Sequence, residues 1–459
     1  MKNIIYLSLI TLISILSGCS IYKKYERPES TVAVVDSLYR HSVKSDDTTG
    51  IASLDWRELF SDPQLQKLIE KGIENNTDLN IARLRVDEAK ALLSTARLSY
   101  LPSISLTPQG TVGKIESRSA TKSYELAASA NWEIDIFGKL TNAKWEARAL
   151  YEQSEAYRRA VETQIVATIA NTYYTLLMLD RQLDITEETA KSWEESVNTM
   201  NALKKAGQAT EMAVAQTMAS KLAVDASLLS LKQQICETEN SICSLLGIPP
   251  QPVERSTIEQ QIFPERLSTG VPMEMLKRRP DIHESEAALA AAYYATNQAR
   301  SAFYPSITLS GNAGWSNSAG GAISNPASFL ATAIGSLVQP LFNRGQNIAN
   351  LKVAKAQQQE ALLTFRQTLL DAGNEVNNAL AQWQTARQKM EISRAQVTAL
   401  ERALKNSELL MRYSSQNYLE VITARQSLLQ AELDMVSSRF EEIQGVINLY
   451  HALGGGYTD

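Results

Sequence analysis

The sequence predicts a mixed α and β protein in which each copy lends four strands to a membrane β-barrel shared between copies, and the barrel continues into a long α-helical barrel. Three observations predict it. The chain repeats itself: Asp78-Leu79-Asn80 aligns with Asp281-Ile282-His283, and the Tyr100-Leu101-Pro102-Ser103-Ile104 stretch with Phe303-Tyr304-Pro305-Ser306-Ile307, at one offset of 203 positions. Each half holds runs that alternate apolar and polar with period two. Each half also holds a helical pattern of more than sixty residues free of proline, from Leu140 to Ala206 in the first.

In chain order, residues 1–18 read as a secretory signal peptide, with Lys2 followed by the apolar run Ile4–Leu16 and then small residues. That run is shorter than the ~20 residues that cross a bilayer as a helix. Leu16-Ser17-Gly18-Cys19 resembles a bacterial lipobox, which implies acylation of Cys19. Ser20 follows where aspartate would mark inner-membrane retention, so the resemblance points to the outer membrane. Residues 19–60 read as an anchored, extended segment. A first repeat then fills 61–250, a linker 251–270 and a second repeat 271–459.

Within each repeat, an Ala-rich helix (Leu79–Tyr100, Glu284–Tyr304) is ended by Pro102 or Pro305, because the residue before proline is pushed out of the helical region. A hairpin follows, at about 103–137 and 306–342. Tyr124, Leu126, Ala128, Ala130, Trp132, Ile134 and Ile136 share one face of its second strand; Glu125, Glu133 and Asp135 share the other. Such a strand is long enough for a tilted membrane crossing. The fourth, Phe329–Phe342, alternates less cleanly, with Leu330 and Ile334 on the polar side. The long helix after the first hairpin would extend about 100 Å at ~1.5 Å per residue and needs lateral helical partners. Turns at Lys205–Thr210 and Tyr413–Asn417 fold each long helix back into a helical hairpin.

Four strands leave open edges, and single-chain barrels begin at ~8 strands, so several copies must close one barrel around a wet lumen. Composition narrows the chemistry. Lys and Arg number 45 against 50 Asp and Glu, a net charge of −5, with no basic run suited to nucleic acid. Three cysteines and three histidines give no metal-ligand spacing, and no cofactor is expected. Cys236 and Cys243 are seven apart on a helix, too distant for a disulfide, and read as buried helix-face thiols. No phosphate loop, serine elbow or paired-carboxylate pattern is present, so no enzyme is expected.

Trp56-Arg57-Glu58-Leu59-Phe60-Ser61-Asp62-Pro63, Trp132-Glu133-Ile134-Asp135-Ile136-Phe137-Gly138-Lys139, Lys277-Arg278-Arg279-Pro280-Asp281-Ile282, Gln339-Pro340-Leu341-Phe342-Asn343-Arg344-Gly345 and Leu453-Gly454-Gly455-Gly456 resemble the TolC-like outer membrane factor lipoproteins of tripartite efflux systems. The resemblance covers nearly the whole mature chain. It implies a homotrimer with a 12-stranded barrel, a periplasmic helical barrel and a mixed equatorial region. It also implies a periplasmic adaptor and an inner-membrane transporter as partners, and passive export of drugs or other small toxic compounds. A type I secretion duct and a lipid-anchored coiled-coil protein are the alternatives.

For the sites, the resemblance places a periplasmic aperture at the second-half tip, with Thr423 where relatives often carry an aspartate; by helix spacing Glu420 shares the face of Thr423 and Arg425 can pair with Glu420 of a neighbouring copy, a solvated charged helix end being the alternative. Lys205 and Arg412, basic at matching tip positions, are candidate adaptor contacts. Glu125, Glu133 and Asp135 are expected to face the lumen.

Overall fold

A computed structural model describes residues 22–28, 54–114, 120–263, 278–317, 328–413 and 418–455. Cys19, the centres of both β-hairpin tips (115–119 and 318–327), the end of the linker from 264 and the second helical turn lie outside the described residues. The elements are α1 (Trp56–Leu59), α2 (Pro63–Asn75), α3 (Thr77–Leu98), β1 (Ser103–Gly113), β2 (Thr121–Ile134), α4 (Lys139–Lys205), α5 (Glu211–Leu245), α6 (Pro280–Ser301), β3 (Ser306–Asn317), β4 (Ser328–Val338), α7 (Gln346–Tyr413) and α8 (Tyr418–Ala452). Helices α4 and α7 hold 67 and 68 residues, α5 and α8 hold 35 each, so helix–strand–strand–long helix–helix recurs with matching lengths.

The chain divides into two compact units, each drawing on both sequence halves. The first takes segments within Met1–Glu29, Leu84–Ala156 and His283–Gln367 and contains the sheet. Its strands are antiparallel in the order β1-β2-β3-β4, so β2 and β3, from different halves, pair at the centre with Tyr124 opposite Asn317 and Ile134 opposite Ile307. Edge strands β1 and β4 are 11 residues each. Strand β4 stops at Val338, short of the expected Phe342; Pro340 cannot donate to a ladder, and the Gln339 side chain instead donates to the Phe303 carbonyl at 3.0 Å.

The second unit, within Ser30–Arg83, Tyr157–Ile282 and Thr368–Asp459, carries the larger core. Phe60, Leu65, Ile69, Tyr173, Tyr174, Leu177, Ile443, Ile447 and Tyr450 pack there, all nearly inaccessible. Asp62 caps α2, accepting from Gln64 N–H at 2.9 Å, with Pro63 in the first turn where its missing N–H costs nothing. Asn76 caps α3 through the Asp78 and Leu79 N–H groups, and its amide donates to the Leu245 carbonyl at the far end of α5. Helices α7 and α8 meet backbone to backbone at Gly445: a Cβ there would stand 2.9 Å from Trp383 Cα, a distance real contacts do not tolerate. Cys243 is buried as expected, but Cys236 is exposed, because the outer side of α5 has no covering element among the described residues.

Candidate functional site: the two-faced sheet and the helical tips

Directly opposed residues of an antiparallel pair share a face, so the strand registers define two surfaces. One carries Ile104, Leu106, Leu126, Ala128, Trp132, Leu309, Trp315, Phe329 and Leu337, aligned across the strands. Several of these large side chains are exposed, Ile104 at 77% and Phe329 at 62%. Trp315 and Phe329 meet edge-on at 5.5 Å, toward the hairpin-tip end. At the helical end, Trp132 Nε1 donates to the Tyr100 carbonyl at 2.8 Å, and Phe137 stacks on Tyr304 with ring centroids 5.1 Å apart. Aromatic groups therefore mark both ends of an apolar band.

The opposite surface is a field of hydroxyls and amides. Ser105 and Ser129 join at 2.7 Å, and Thr308 and Ser336 at 2.6 Å. Glu125 stands opposite Gln109 on this side, and Glu133 pairs with Lys139 at 2.8 Å. Leu330 and Ile334 do interrupt it, opposite Gly314 and Ser310. Asp135 is a correction. It lies beyond β2 and accepts from Leu140 N–H (3.0 Å), Thr141 N–H (2.7 Å) and the Thr141 hydroxyl (2.6 Å), so it caps α4 and is no strand charge. The period-two pattern runs on into a helix cap, which alternation alone does not distinguish.

At the tips, Lys205 is the exposed last residue of α4, and Arg412 lies at the end of α7, its side chain outside the described residues. Glu420 sits exposed in the first turn of α8, and the Thr423 hydroxyl donates to the Leu419 carbonyl at 2.9 Å. Arg425 is taken up inside its own chain. It donates to the Ser192 carbonyl at 2.7 Å and to the Ser196 hydroxyl, and pairs with Glu408 at 2.6 Å. Its charge is thereby met by Glu408, where the sequence expectation had it bridging to Glu420 of another copy. Trp193, 1% exposed, lies beside it, with the guanidinium carbon 5.7 Å from its ring. Around this pair a cavity of about 340 Å³ is lined by Met200, Met411, Tyr418 and Ile422. Glu408 lies five residues before the end of α7 and Arg425 seven after the start of α8, so the two come from the facing ends of one helical hairpin.

A second network, also missed, sits deeper in the same unit. Arg279, 5% exposed, bonds Asp281 at 2.7 Å, Glu375 at 2.6 Å and the Ala452 carbonyl; His451 bonds the other Glu375 oxygen at 3.0 Å. Burial alone would raise the Glu375 carboxyl, but the His451 bond and the charge of Arg279 outweigh it and hold it at about 2. Nearby, Asp62 accepts from Tyr173, Ser256 and Gln261 at 2.6 to 3.0 Å, and burial together with the Asp62 bond pushes the Tyr173 hydroxyl upward. These clusters fasten distant segments together. Among the described residues no group of His, Cys, Asp or Glu is arranged to hold a metal.

The outer membrane efflux protein family matches residues 68–248 and 271–455, together most of the chain. The chain belongs to that family. The probable outer membrane lipoprotein SilC of Salmonella typhimurium is 30% identical over 98% of both chains. The probable efflux pump outer membrane protein TtgC of Pseudomonas putida is 30% identical over 99% of this chain and 96% of its own. The solved structure of CusC aligns with a TM-score of 0.86 at 27% identity, covering 95% of this chain and all of that one. The family consists of channels rather than enzymes. The protein is an outer membrane efflux channel.

Proposed function

We propose that three copies close a 12-stranded barrel, β4 of one pairing with β1 of the next, and that the duct passively exports drugs or other small toxic compounds handed over by a periplasmic adaptor and an inner-membrane transporter. The observation that carries this is the four-stranded sheet with one apolar face, one polar face and two equal open edges. Strand order alternates, so β4 meets the next β1 antiparallel and the barrel closes without a mismatch. The apolar band faces lipid; Glu125 and Glu133 face the lumen. The long helices of the three copies form the periplasmic barrel around a mixed equatorial region, each copy being a twofold repeat of 61–250 and 271–459 after a signal peptide (1–18), an anchored segment (19–60) acylated at Cys19, and with a linker at 251–270. A relative named as a cation efflux protein and another as a toluene efflux pump protein support a small-compound cargo.

At the periplasmic end, Glu420 and Thr423 border the aperture, Arg425 holds α8 against the first-half helices, and Lys205 and Arg412 meet the adaptor. Mass measurement of the detergent-extracted protein and planar-bilayer conductance test the reading. A trimer with low resting conductance that rises in Glu420→Ala or Arg425→Ala is expected; a stable monomer would refute the shared barrel, since its edges could not be satisfied in lipid.

A further inference from the structure

Three cations gather on one indole just beyond the sheet. Trp145 lies in the second turn of α4, and from its ring centroid Lys24 Nζ stands 5.3 Å away, the Arg148 guanidinium carbon 5.5 Å and Lys144 Nζ 5.6 Å. Lys144 Nζ is also 5.0 Å from the Tyr100 ring. Lys24 comes from far away in sequence, on a strap formed by residues 22–28. The strap is well fastened: Tyr25 N–H donates to the Tyr294 hydroxyl at 3.1 Å, the Tyr293 hydroxyl donates to the Lys23 carbonyl at 3.0 Å, and Arg27 Nε donates to Glu286 at 2.7 Å. Tyr22, at its N-terminal end, lies against Gly138 between β2 and α4, so the strap starts at the helical end of the sheet.

Like charges at this spacing repel, and an aromatic face offsets only part of that. Arg148 has Glu152 at 2.8 Å, but among the described residues neither Lys24 nor Lys144 makes an ion pair. Neighbouring acids are otherwise engaged: Glu133 holds Lys139 and Glu286 holds Arg27. Burial pushes the Glu146 carboxyl upward, which weakens it as a countercharge. The arrangement lacks an anion, and the surface next to it is apolar, with Leu101 and Ile104 exposed directly after Tyr100.

We propose that Lys24, Lys144 and Arg148, with the rings of Trp145 and Tyr100, bind the phosphate of an anionic phospholipid in the periplasmic leaflet, its acyl chains lying on the adjoining apolar face. This rests on the membrane reading of the sheet. Cations over interfacial aromatics provide the charge, and the continuous apolar surface selects a lipid over a free ion.

Native mass spectrometry of the full-length trimer, titrated with phosphatidylglycerol, phosphatidylcholine or inorganic phosphate, tests it. Wild type should retain phosphatidylglycerol in preference to phosphatidylcholine, and the Lys24→Gln, Lys144→Gln double variant should bind it about tenfold more weakly at unchanged trimer mass. Equal retention by the two proteins overturns the proposal, and displacement of the lipid by millimolar phosphate overturns the lipid source. Should the double variant fail to assemble, Lys144→Gln alone gives the same comparison. A monomeric wild type defeats the membrane reading itself, whereas a trimer that binds both lipids alike defeats only the headgroup site.

Discussion

The two helical hairpins end in different ways. The α4–α5 turn closes on its own backbone: Gly207 takes a φ of +72°, its N–H bonds the Lys204 carbonyl at 3.0 Å, and Gln208 N–H bonds the Leu203 carbonyl at 2.8 Å. Thr210 then caps α5 through Ala213 N–H, and Lys204 pairs with Glu211 in the open. The α7–α8 hairpin is held from outside itself. Arg425 reaches Ser192 and Ser196 on α4, and Trp193 packs with Val224 and Ile422. The first end is closed by bonds within its own turn; the second adds to its internal Arg425–Glu408 bridge polar bonds to α4 of the other hairpin. A gate needs the second kind of contact, because it has to be releasable as a unit.

Substitutions at the two ends should therefore separate widely. Trp193→Ala removes the buried ring beneath both Arg425 and Ile422 and should destabilise the second unit by about 3–5 kcal/mol, read as the largest drop in thermal midpoint of the purified protein. Arg425→Ala should cost about 2–3 kcal/mol, less than a fully buried pair because Glu408 is 44% exposed and gains water, and should also raise resting conductance. A loss confined to stability, with conductance unchanged, would separate packing from gating. Gly207→Ala forces a side chain into the left-handed region and should cost about 1–2 kcal/mol, visible as faster proteolysis at 203–210 with conductance intact. Lys204→Ala, breaking a pair whose members are 45% and 71% exposed, should shift the midpoint by at most about 0.5 kcal/mol equivalent. If Lys204→Ala matched Arg425→Ala, the contrast between the two ends would collapse.

The fold was legible where one period dominates. Pro102 and Pro305 announce the helix-to-strand switch, and the Tyr124–Ile134 alternation assigns both sheet faces. Legibility failed where a local rule changes within a residue or two. Asp135 extends the strand pattern by sequence yet serves as a helix cap, and β4 ends before Pro340 although apolar residues continue to Phe342. Sites built from remote segments were hidden for another reason. The Arg279 network joins positions 281, 375 and 451, and Asp62 collects partners from 173, 256 and 261, separations that no periodicity encodes. The pairing of Arg425 with Glu408 joins positions 17 apart across a turn, a separation that no helical period encodes.

One further consequence belongs to β1. Each chain carries two eleven-residue edge strands, the kind of template on which foreign strands add and proteins precipitate. Pro108 stands near the middle of β1, opposite Leu126, and brings no N–H to a ladder. Proline is tolerated where a strand has an open side, so Pro108 fits the edge position that β1 holds in the sheet.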